Sequence, residues 1–171
     1  YLAGADRRLH AVDRQTGTAL WTMDLDEVPG SPTVIGDAVV VGTSSGTVAA
    51  IETASRKVRW LYKAGGAVVA APIGVGDLIA VGASDGMLHV LRAQDGSKVW
   101  TYQTGAAIVA GAVAAGDLIL VGSRDKNLYA LTPAGAEEWR YTTAGFIQSS
   151  PALGADGTLY YANSVVERET G

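Results

Sequence analysis

Short runs of apolar and β-branched residues, bounded by glycine, aspartate and serine, follow one another along the whole chain. Residues 68–102, for example, hold four such runs, separated by Gly76-Asp77, by Ser84-Asp85-Gly86 and by the segment 93–96. Runs of this length between turn residues predict β-strands joined by hairpins. Because no segment keeps its apolar residues at a 3.6-residue spacing, the pattern predicts no helices.

The pattern repeats about every 40 residues. Tryptophan, a Gly-Asp pair and a Val-Gly pair each recur at this interval and in one phase, so a chance repeat is excluded. These markers are Trp21, Trp60, Trp100 and Trp139; Gly36-Asp37, Gly76-Asp77 and Gly116-Asp117; and Val41-Gly42, Val81-Gly82 and Val121-Gly122. Four strands in a repeat of about 40 residues are typical of a β-propeller blade. The sequence therefore predicts an all-β propeller of four-stranded antiparallel blades, about four of them in this chain.

The blade boundaries follow from the repeat. We expect a partial blade at 1–25, complete blades at 31–62, 69–102 and 108–141, and a second partial blade at 147–171. Small residues open each unit, which fits innermost strands that converge on a central channel. The tryptophan lies in the outermost strand, where its ring can cover a neighbouring blade.

The last unit departs from the repeat. Residues 165–171 align with 11–17, but five residues that the repeat predicts between Ser164 and Val165 are not there. Either this blade carries a deletion or a loop is missing from the sequence. Because third-strand sequence occurs at both ends, we expect about half of a seven- or eight-bladed ring. Its open edges would favour self-association, and a stable monomer in sedimentation would argue against this interpretation.

The first repeat carries a motif around its tryptophan. It reads Ala11-x-Asp13-x-x-Thr16-Gly17-x-x-x-Trp21. This motif resembles the tryptophan-docking motif of the PQQ-like (quinoprotein-type) β-propellers. The chain has no Trp-Asp or Gly-His dipeptide, which argues against the WD40 type, and kelch units are longer. The resemblance implies the propeller fold over essentially the whole chain.

Later repeats keep this motif in part. Arg56 stands at the glycine position of the second repeat, the third keeps Asp95-Gly96, and the fourth lacks the acid. In such a motif the acid and the threonine bond backbone groups of the turn, glycine supplies its φ, and the indole packs on the adjacent blade. The predicted blade-docking residues are Trp21, Trp60, Trp100, Trp139, Asp13, Thr16 and Gly17.

Composition and charge exclude several classes. The formal net charge is −4, so the chain is not expected to bind nucleic acid. There is no cysteine, which removes disulfides and thiolate sites and suits an oxidising compartment. The longest apolar stretch, Gly105 to Gly116, is too short to cross a bilayer. Nothing near Tyr1 resembles a signal peptide.

Candidate chemistry is sparse. His10 and His89 occupy the same repeat position, two blades apart, so we interpret them as strand residues in a slot that Tyr129 fills in the fourth unit. The aspartates at Asp6, Asp85 and Asp125 are interpreted as turn formers. No catalytic triad, phosphate loop or metal-ligand spacing is present, so we predict no catalytic residue and no metal site.

Four cationic residues are the best candidates for a binding surface in this sequence. Arg7, Arg8, Arg124 and Lys126 lie in the turns between second and third strands, which should share one face near the channel mouth. Turns of this kind often bind partners, so these residues form a candidate rim for an acidic ligand or protein. A solvated rim without a partner is the alternative.

The resemblance implies two classes of function. The first is a non-catalytic binding or scaffolding module in the periplasm or at the cell surface; family members include the propeller lipoprotein of the outer-membrane barrel-assembly machinery and extracytoplasmic sensor domains of bacterial kinases. The second is a PQQ-dependent dehydrogenase, with the quinone and a calcium ion over the channel. Such enzymes typically carry a vicinal cysteine pair and long insertions between blades. This chain has neither, so we expect a protein partner and no cofactor.

Overall fold

The computed structural model describes residues 1–164, and over that range the chain forms strands, turns and loops without a helix. The predicted third strand of the last unit, at 165–167, lies outside the described residues, as does its copy of the docking motif. No helix among residues 1–164 has the length and apolar character that a membrane crossing requires.

The first sheet, blade 1, has three antiparallel strands. They are β1 (Leu2–Ala3), β2 (Arg8–Val12) and β3 (Ala19–Asp24), in that order across the sheet. In the numbering of a complete blade, these are the second, third and fourth strands.

Three four-stranded antiparallel sheets follow, each a meander from an inner first strand to an outer fourth strand. Blade 2 consists of β4 (Thr33–Ile35), β5 (Ala38–Gly42), β6 (Thr47–Glu52) and β7 (Val58–Lys63). Blade 3 consists of β8 (Ile73–Val75), β9 (Leu78–Gly82), β10 (Met87–Arg92) and β11 (Lys98–Gln103). Blade 4 consists of β12 (Val113–Ala115), β13 (Leu118–Gly122), β14 (Asn127–Leu131) and β15 (Glu137–Thr142).

The last described segment forms two small sheets. β16 (Phe146–Ile147) pairs with β19 (Asn163–Ser164), and β17 (Ala152–Leu153) pairs with β18 (Leu159–Tyr160). Asp156-Gly157 forms the turn between β17 and β18, at the repeat position that holds Gly-Asp in blades 2, 3 and 4.

The inner strands begin later than the sequence predicts. Blade 2, for example, starts its first strand at Thr33 rather than Ser31. The small residues before these strands bond to a neighbouring segment instead. Before the first strand of blade 2, Ser31 N–H donates to Val69 O at 3.2 Å; before that of blade 4, Gly111 N–H donates to Ser150 Oγ at 2.8 Å. Small side chains therefore serve close approach between blades, not pairing within one sheet.

The hydrophobic core lies between the blades. One cluster joins Leu9 of blade 1 to Val39, Val41 and Ile51 of blade 2. Two further clusters join blade 2 to blade 3 and blade 3 to blade 4. Because both faces of the middle strands are covered, β5 and β9 are buried at every position, which explains their continuous apolar sequence.

The strand ends form two faces. One, named here the connector face, holds the turns between second and third strands and the connectors that run from one blade's outer strand to the next blade's inner strand; these connectors are 25–32, 64–72, 104–112 and 143–151. The opposite face holds the turns between first and second strands and between third and fourth strands. There the two kinds of turn touch, as where Thr53 N–H donates to Asp37 O at 3.0 Å.

Candidate functional site

The connector face is hydrogen-bonded to the blades on either side of each connector. In connector 64–72, Ala64 N–H donates to Gly46 O of the blade it leaves at 2.8 Å, and Ala67 O accepts from Ser84 N–H of the blade it enters at 2.9 Å. Paired backbone groups of this kind hold a loop in one conformation. The connector therefore ties blade 2 to blade 3.

The same bonds recur at the neighbouring connectors. Thr104 N–H donates to Gly86 O at 2.9 Å, and Arg124 N–H donates to Ala107 O at 3.0 Å. Between blades 1 and 2, Leu25 N–H donates to Arg7 O at 2.7 Å, and Ser44 N–H donates to Val28 O at 2.9 Å. The connector face is thus a continuous platform across the four blades.

Two of the predicted rim residues have a left-handed backbone. Arg7 has φ +62° and Lys126 has φ +75°, at the turn position where blades 2 and 3 have Gly46 and Gly86. A non-glycine residue in this region costs about 1–2 kcal/mol, and such strain is concentrated at functional sites in proteins. Both positions expose a cationic side chain where the other blades have none.

The four rim residues form two separate pairs. In blade 1, Arg8 Nε lies 2.7 Å from Asp24 Oδ1, and Arg7 lines a shallow depression with acidic residues of the first connector. In blade 4, Arg124 donates to Gln148 Oε1 at 3.0 Å. Blades 2 and 3 lie between the two pairs, so these cations do not form one basic patch.

An acid and a ring occupy fixed positions in three blades. The acid lies in the turn between second and third strands, and the ring lies four residues later on the third strand. The pairs are Asp6 with His10 at 2.9 Å, Asp85 with His89 at 3.9 Å, and Asp125 with Tyr129 at 2.6 Å. The sequence places these residues in one phase, but only the structure shows that acid and ring meet.

His89 is buried at the interface between blades 2 and 3. Only 4% of the residue is exposed, and its Nδ1 lies 3.0 Å from the Tyr62 hydroxyl of the preceding blade. Its Nε2 has no hydrogen-bond partner among residues 1–164. Burial lowers the pKa of His89, the Asp85 carboxylate opposes this shift, and Lys98 adds to it.

Tyr129 fills the same slot between blades 3 and 4. Burial and the hydrogen bond to Asp125 raise the pKa of Tyr129 to about 12. Its ring packs edge-on against Tyr102 of the preceding blade at 5.5 Å, and Arg140 Cζ lies 5.4 Å from the ring centroid. Each of these two interfaces therefore contains a ring pair with an anchored polar atom.

Blade 2 replaces the acid and the ring. Ser45 and Ala49 stand at the two positions, and a carboxylate comes from the connector instead. Glu27 accepts hydrogen bonds from Thr43 Oγ1 at 2.7 Å and from the Ser45 hydroxyl. Hydrogen bonds from Ser45 and Thr43 lower the pKa of Glu27. Sequence reasoning missed Glu27; the signal was Ser45 at a position that is aspartate in the other blades.

Two tryptophans reach the turn between third and fourth strands of the following blade. Trp60 Nε1 donates to Ala93 O at 3.0 Å, and Trp100 Nε1 donates to Pro133 O at 2.8 Å. A Cβ at Gly96, where φ is +71°, would lie 2.5 Å from the ring of Trp60. The ring and the turn are therefore in direct contact.

The turn of the first repeat is held as its motif predicts. Asp13 Oδ1 accepts from Gln15 N–H at 3.0 Å, from Thr16 N–H at 2.9 Å and from Thr16 Oγ1 at 3.0 Å. These bonds lower the pKa of Asp13. Gly17 closes the turn with φ +71°.

The other two tryptophans lie in different surroundings. Trp21 packs against apolar residues of blades 1 and 2, with its ring centroid 5.5 Å from that of Tyr1. The turn of blade 2 has Arg56 at φ +59° where Gly96 stands in blade 3. Trp139 is 40% exposed.

Comparison with known proteins identifies the family. The family model described as "Outer membrane protein assembly factor BamB" matches residues 5–145. The chain belongs to this family. BamB from Moraxella catarrhalis has a similar solved structure, with a TM-score of 0.77 and 23% sequence identity. The similarity covers 94% of this chain and 56% of that chain, so this chain spans little more than half the length of that relative.

No curated protein sequence matches the chain. The family match and the structural similarity confirm the prediction of a PQQ-like β-propeller built from four-stranded blades. Within this BamB-family chain, His10 and His89 lie in different blades, each beside its own aspartate. No group of three or more potential metal-ligating side chains occurs among residues 1–164.

Proposed function

We propose that this BamB-family chain is a non-catalytic binding and scaffolding module that contacts a protein partner through the connector face. The continuous bonding of connectors and turns supports the proposal, because a partner can bind a fixed surface without the cost of ordering it. Two of the three cationic residues with a left-handed backbone among residues 1–164, Arg7 and Lys126, lie on this face, and the third, Arg56, lies on the opposite face.

The family description suggests the cellular process and compartment in which this module acts. Its model carries the description of an outer membrane protein assembly factor. For this chain we infer the same class of role, an interaction module in outer-membrane assembly that works in the periplasm or at the cell surface. Arg7, Arg8, Arg124 and Lys126 are the rim residues that we assign to the partner, as two contacts on blades 1 and 4 rather than one.

Trp21, Trp60, Trp100 and Trp139 are proposed to dock neighbouring blades, with Asp13, Thr16 and Gly17 shaping the turn. Since we assign these residues a structural role, we propose that the partner binds the turns and connectors of the connector face instead. Indoles that donate to backbone carbonyls, as Trp60 and Trp100 do, are less available to stack on a ligand.

Photocrosslinking tests the binding face. The chain is exported to the periplasm of a Gram-negative host with a photoreactive amino acid in place of Arg124 on the connector face. The matched control replaces Asp117, an exposed residue of the same blade on the opposite face. We expect a crosslink to a component of the outer-membrane assembly machinery from position 124 and none from position 117. Equal crosslinking from both faces, or none from either, would contradict the proposal.

We propose that the chain binds no cofactor, and calorimetry tests this. PQQ with calcium is titrated into the chain, with calcium alone as the control. No saturable heat is expected. A saturable isotherm accompanied by a shift in quinone absorbance would favour the alternative, a fragment of a PQQ-dependent dehydrogenase.

A further inference from the structure

A groove opens between the outer strand of blade 1 and the two outer strands of blade 2. Its volume is about 200 Å³, and its lining includes Met23 of blade 1, Leu25 of the first connector, and Ala49, Val58 and Leu61 of blade 2. This volume is below the roughly 300–1,000 Å³ typical of sites for drug-sized molecules. It is large enough for one apolar side chain.

The groove exists because two rings are missing. At the position of Ala49 the other blades have His10, His89 and Tyr129, and at the position of Met23 blades 2 and 3 have Tyr62 and Tyr102. The ring pairs Tyr62–His89 and Tyr102–Tyr129, with centroids 5.6 and 5.5 Å apart, occupy the corresponding space in the next two interfaces. Methionine and alanine leave that space open.

The wall of the groove is unusually apolar. Leu61 lies directly across from Ala49 in the paired strands, and it is 64% exposed. The corresponding residues of blades 1, 3 and 4 are Thr22, Thr101 and Arg140, all polar. Val58 beside it is 49% exposed. An exposed apolar wall around an open groove is typical of a contact surface for another protein.

Three carboxylates lie at the mouth of the groove, and Arg7 lines the adjoining depression with two of them, Asp26 and Glu27. Asp24, Asp26 and Glu27 lie in or next to the first connector and line the groove. Arg8 pairs with Asp24, and the hydroxyls of Thr43 and Ser45 bind Glu27. Lys63 Nζ donates to Ser45 Oγ at 3.0 Å and lies close enough to Glu27 to help lower its pKa. Asp26 is exposed and forms no ion pair with any residue from 1 to 164. A carboxylate at this point complements a cation on the molecule that fills the groove.

We propose that this groove binds a leucine- or phenylalanine-sized side chain of a partner protein segment that carries lysine or arginine next to it. This proposal rests on the proposed function and adds to it the place and chemistry of one contact. A single apolar anchor in a groove, with charges at the rim, is a common arrangement in protein recognition.

Peptide titration followed by amide NMR shifts tests the groove. The probe is a short glycine–serine peptide with one central leucine flanked by two lysines. Two comparison peptides replace the leucine by serine or the lysines by glutamates. We expect saturable shifts around Ala49 and Leu61 with the probe, and weaker or no binding by either comparison peptide.

Variants of the chain sharpen the test. Ala49→Tyr installs the residue of blade 4 and should abolish binding, while Leu61→Thr, the residue of blades 1 and 3, should raise Kd about fivefold. Asp26→Asn should raise Kd about twofold and reduce its dependence on salt. Leu20→Thr is the matched control, because Leu20 is 61% exposed but lies outside the groove lining. Its Kd should not change.

Three outcomes would overturn the proposal: no saturable shifts with the probe, shifts centred away from the groove, or equal effects of Leu61→Thr and Leu20→Thr. The crosslink from position 124 separates this failure from that of the proposed function. If that crosslink persists while the peptide does not bind, the groove is wrong and the binding module stands. If the crosslink is absent, the proposed function itself fails.

Discussion

The interfaces between blades 1 and 2 and between blades 2 and 3 follow one plan with different side chains. At the second interface, Trp60 bonds the carbonyl of Ala93 and lies against Gly96. At the first, Trp21 packs against the apolar cluster of blades 1 and 2, and the corresponding turn of blade 2 has Arg56 at the glycine position. The Tyr62–His89 pair closes the second interface, whereas Met23 and Ala49 leave the first open.

This comparison separates two parts of a blade interface. The indole and the turn glycine make the contact on the opposite-face side of the blades, and the acid and ring close the connector-face side. Both parts are filled with well-packed groups between blades 2 and 3. Between blades 1 and 2, the residues of both contacts are replaced, and a groove is open at that interface.

The largest expected effect is the loss of Trp60. Trp60→Ala should lower the free energy of unfolding by about 3–5 kcal/mol, because the ring is buried and its removal leaves a cavity. Trp21→Ala should cost clearly less, since Trp21 is only partly buried. Urea unfolding of both variants measures the difference. Equal losses in the free energy of unfolding would show that the two tryptophans contribute equally and that the two interfaces do not differ in this respect.

Gly96→Ala should come next. The new Cβ would lie 2.5 Å from the Trp60 ring, and the left-handed φ of +71° disfavours any side chain. Overpacking and backbone strain together should cost about 2–4 kcal/mol. Gly17→Ala is the matched control, because Gly17 has the same φ and no atom within 4 Å of a new Cβ. There we expect about 1 kcal/mol; a similar cost at both sites would show that ring contact adds nothing.

His89 predicts a pH dependence at the second interface. Burial lowers its pKa below the ordinary 6.5, so at lower pH the unfolded chain gains a proton that the folded chain resists. Stability from this group is complete above pH 6.5 and declines as the pH falls below it.

His89→Tyr, which copies the ring of blade 4, should remove that decline. Urea unfolding of both proteins between about pH 7 and pH 5 measures it. Carboxylates of lowered pKa, such as Asp13, titrate at lower pH. Parallel stability curves for the two proteins would exclude His89 as the source.

Much of this architecture is predictable because it depends on local sequence. Turn glycines and the recurring tryptophan specify strands, hairpins and the 40-residue period without knowledge of neighbours. The same register irregularity recurs between Ala50 and Ile51, and between Val90 and Leu91, just before the motif turn. Repeats of this kind can be recognised from the sequence alone.

The candidate site is less predictable because it depends on which residues face each other across blades. Glu27 replaces a missing acid from a different segment of the chain, and neither Met23 nor Ala49 is unusual alone. The groove follows only from their juxtaposition. The four rim cations lie at the same kind of turn, between second and third strands, yet blades 2 and 3 separate them into two pairs.

The smallest expected effect is a gain of stability at the first interface. Arg56 holds a left-handed φ of +59° that glycine adopts freely, while glycine also increases the conformational freedom of the unfolded chain. The two effects oppose each other, and we expect Arg56→Gly to stabilise the chain by about 0.5 kcal/mol. Arg56→Ala keeps the strain and removes only the long side chain, so it should not stabilise. A gain with alanine equal to that with glycine would assign the effect to the arginine side chain rather than to the backbone.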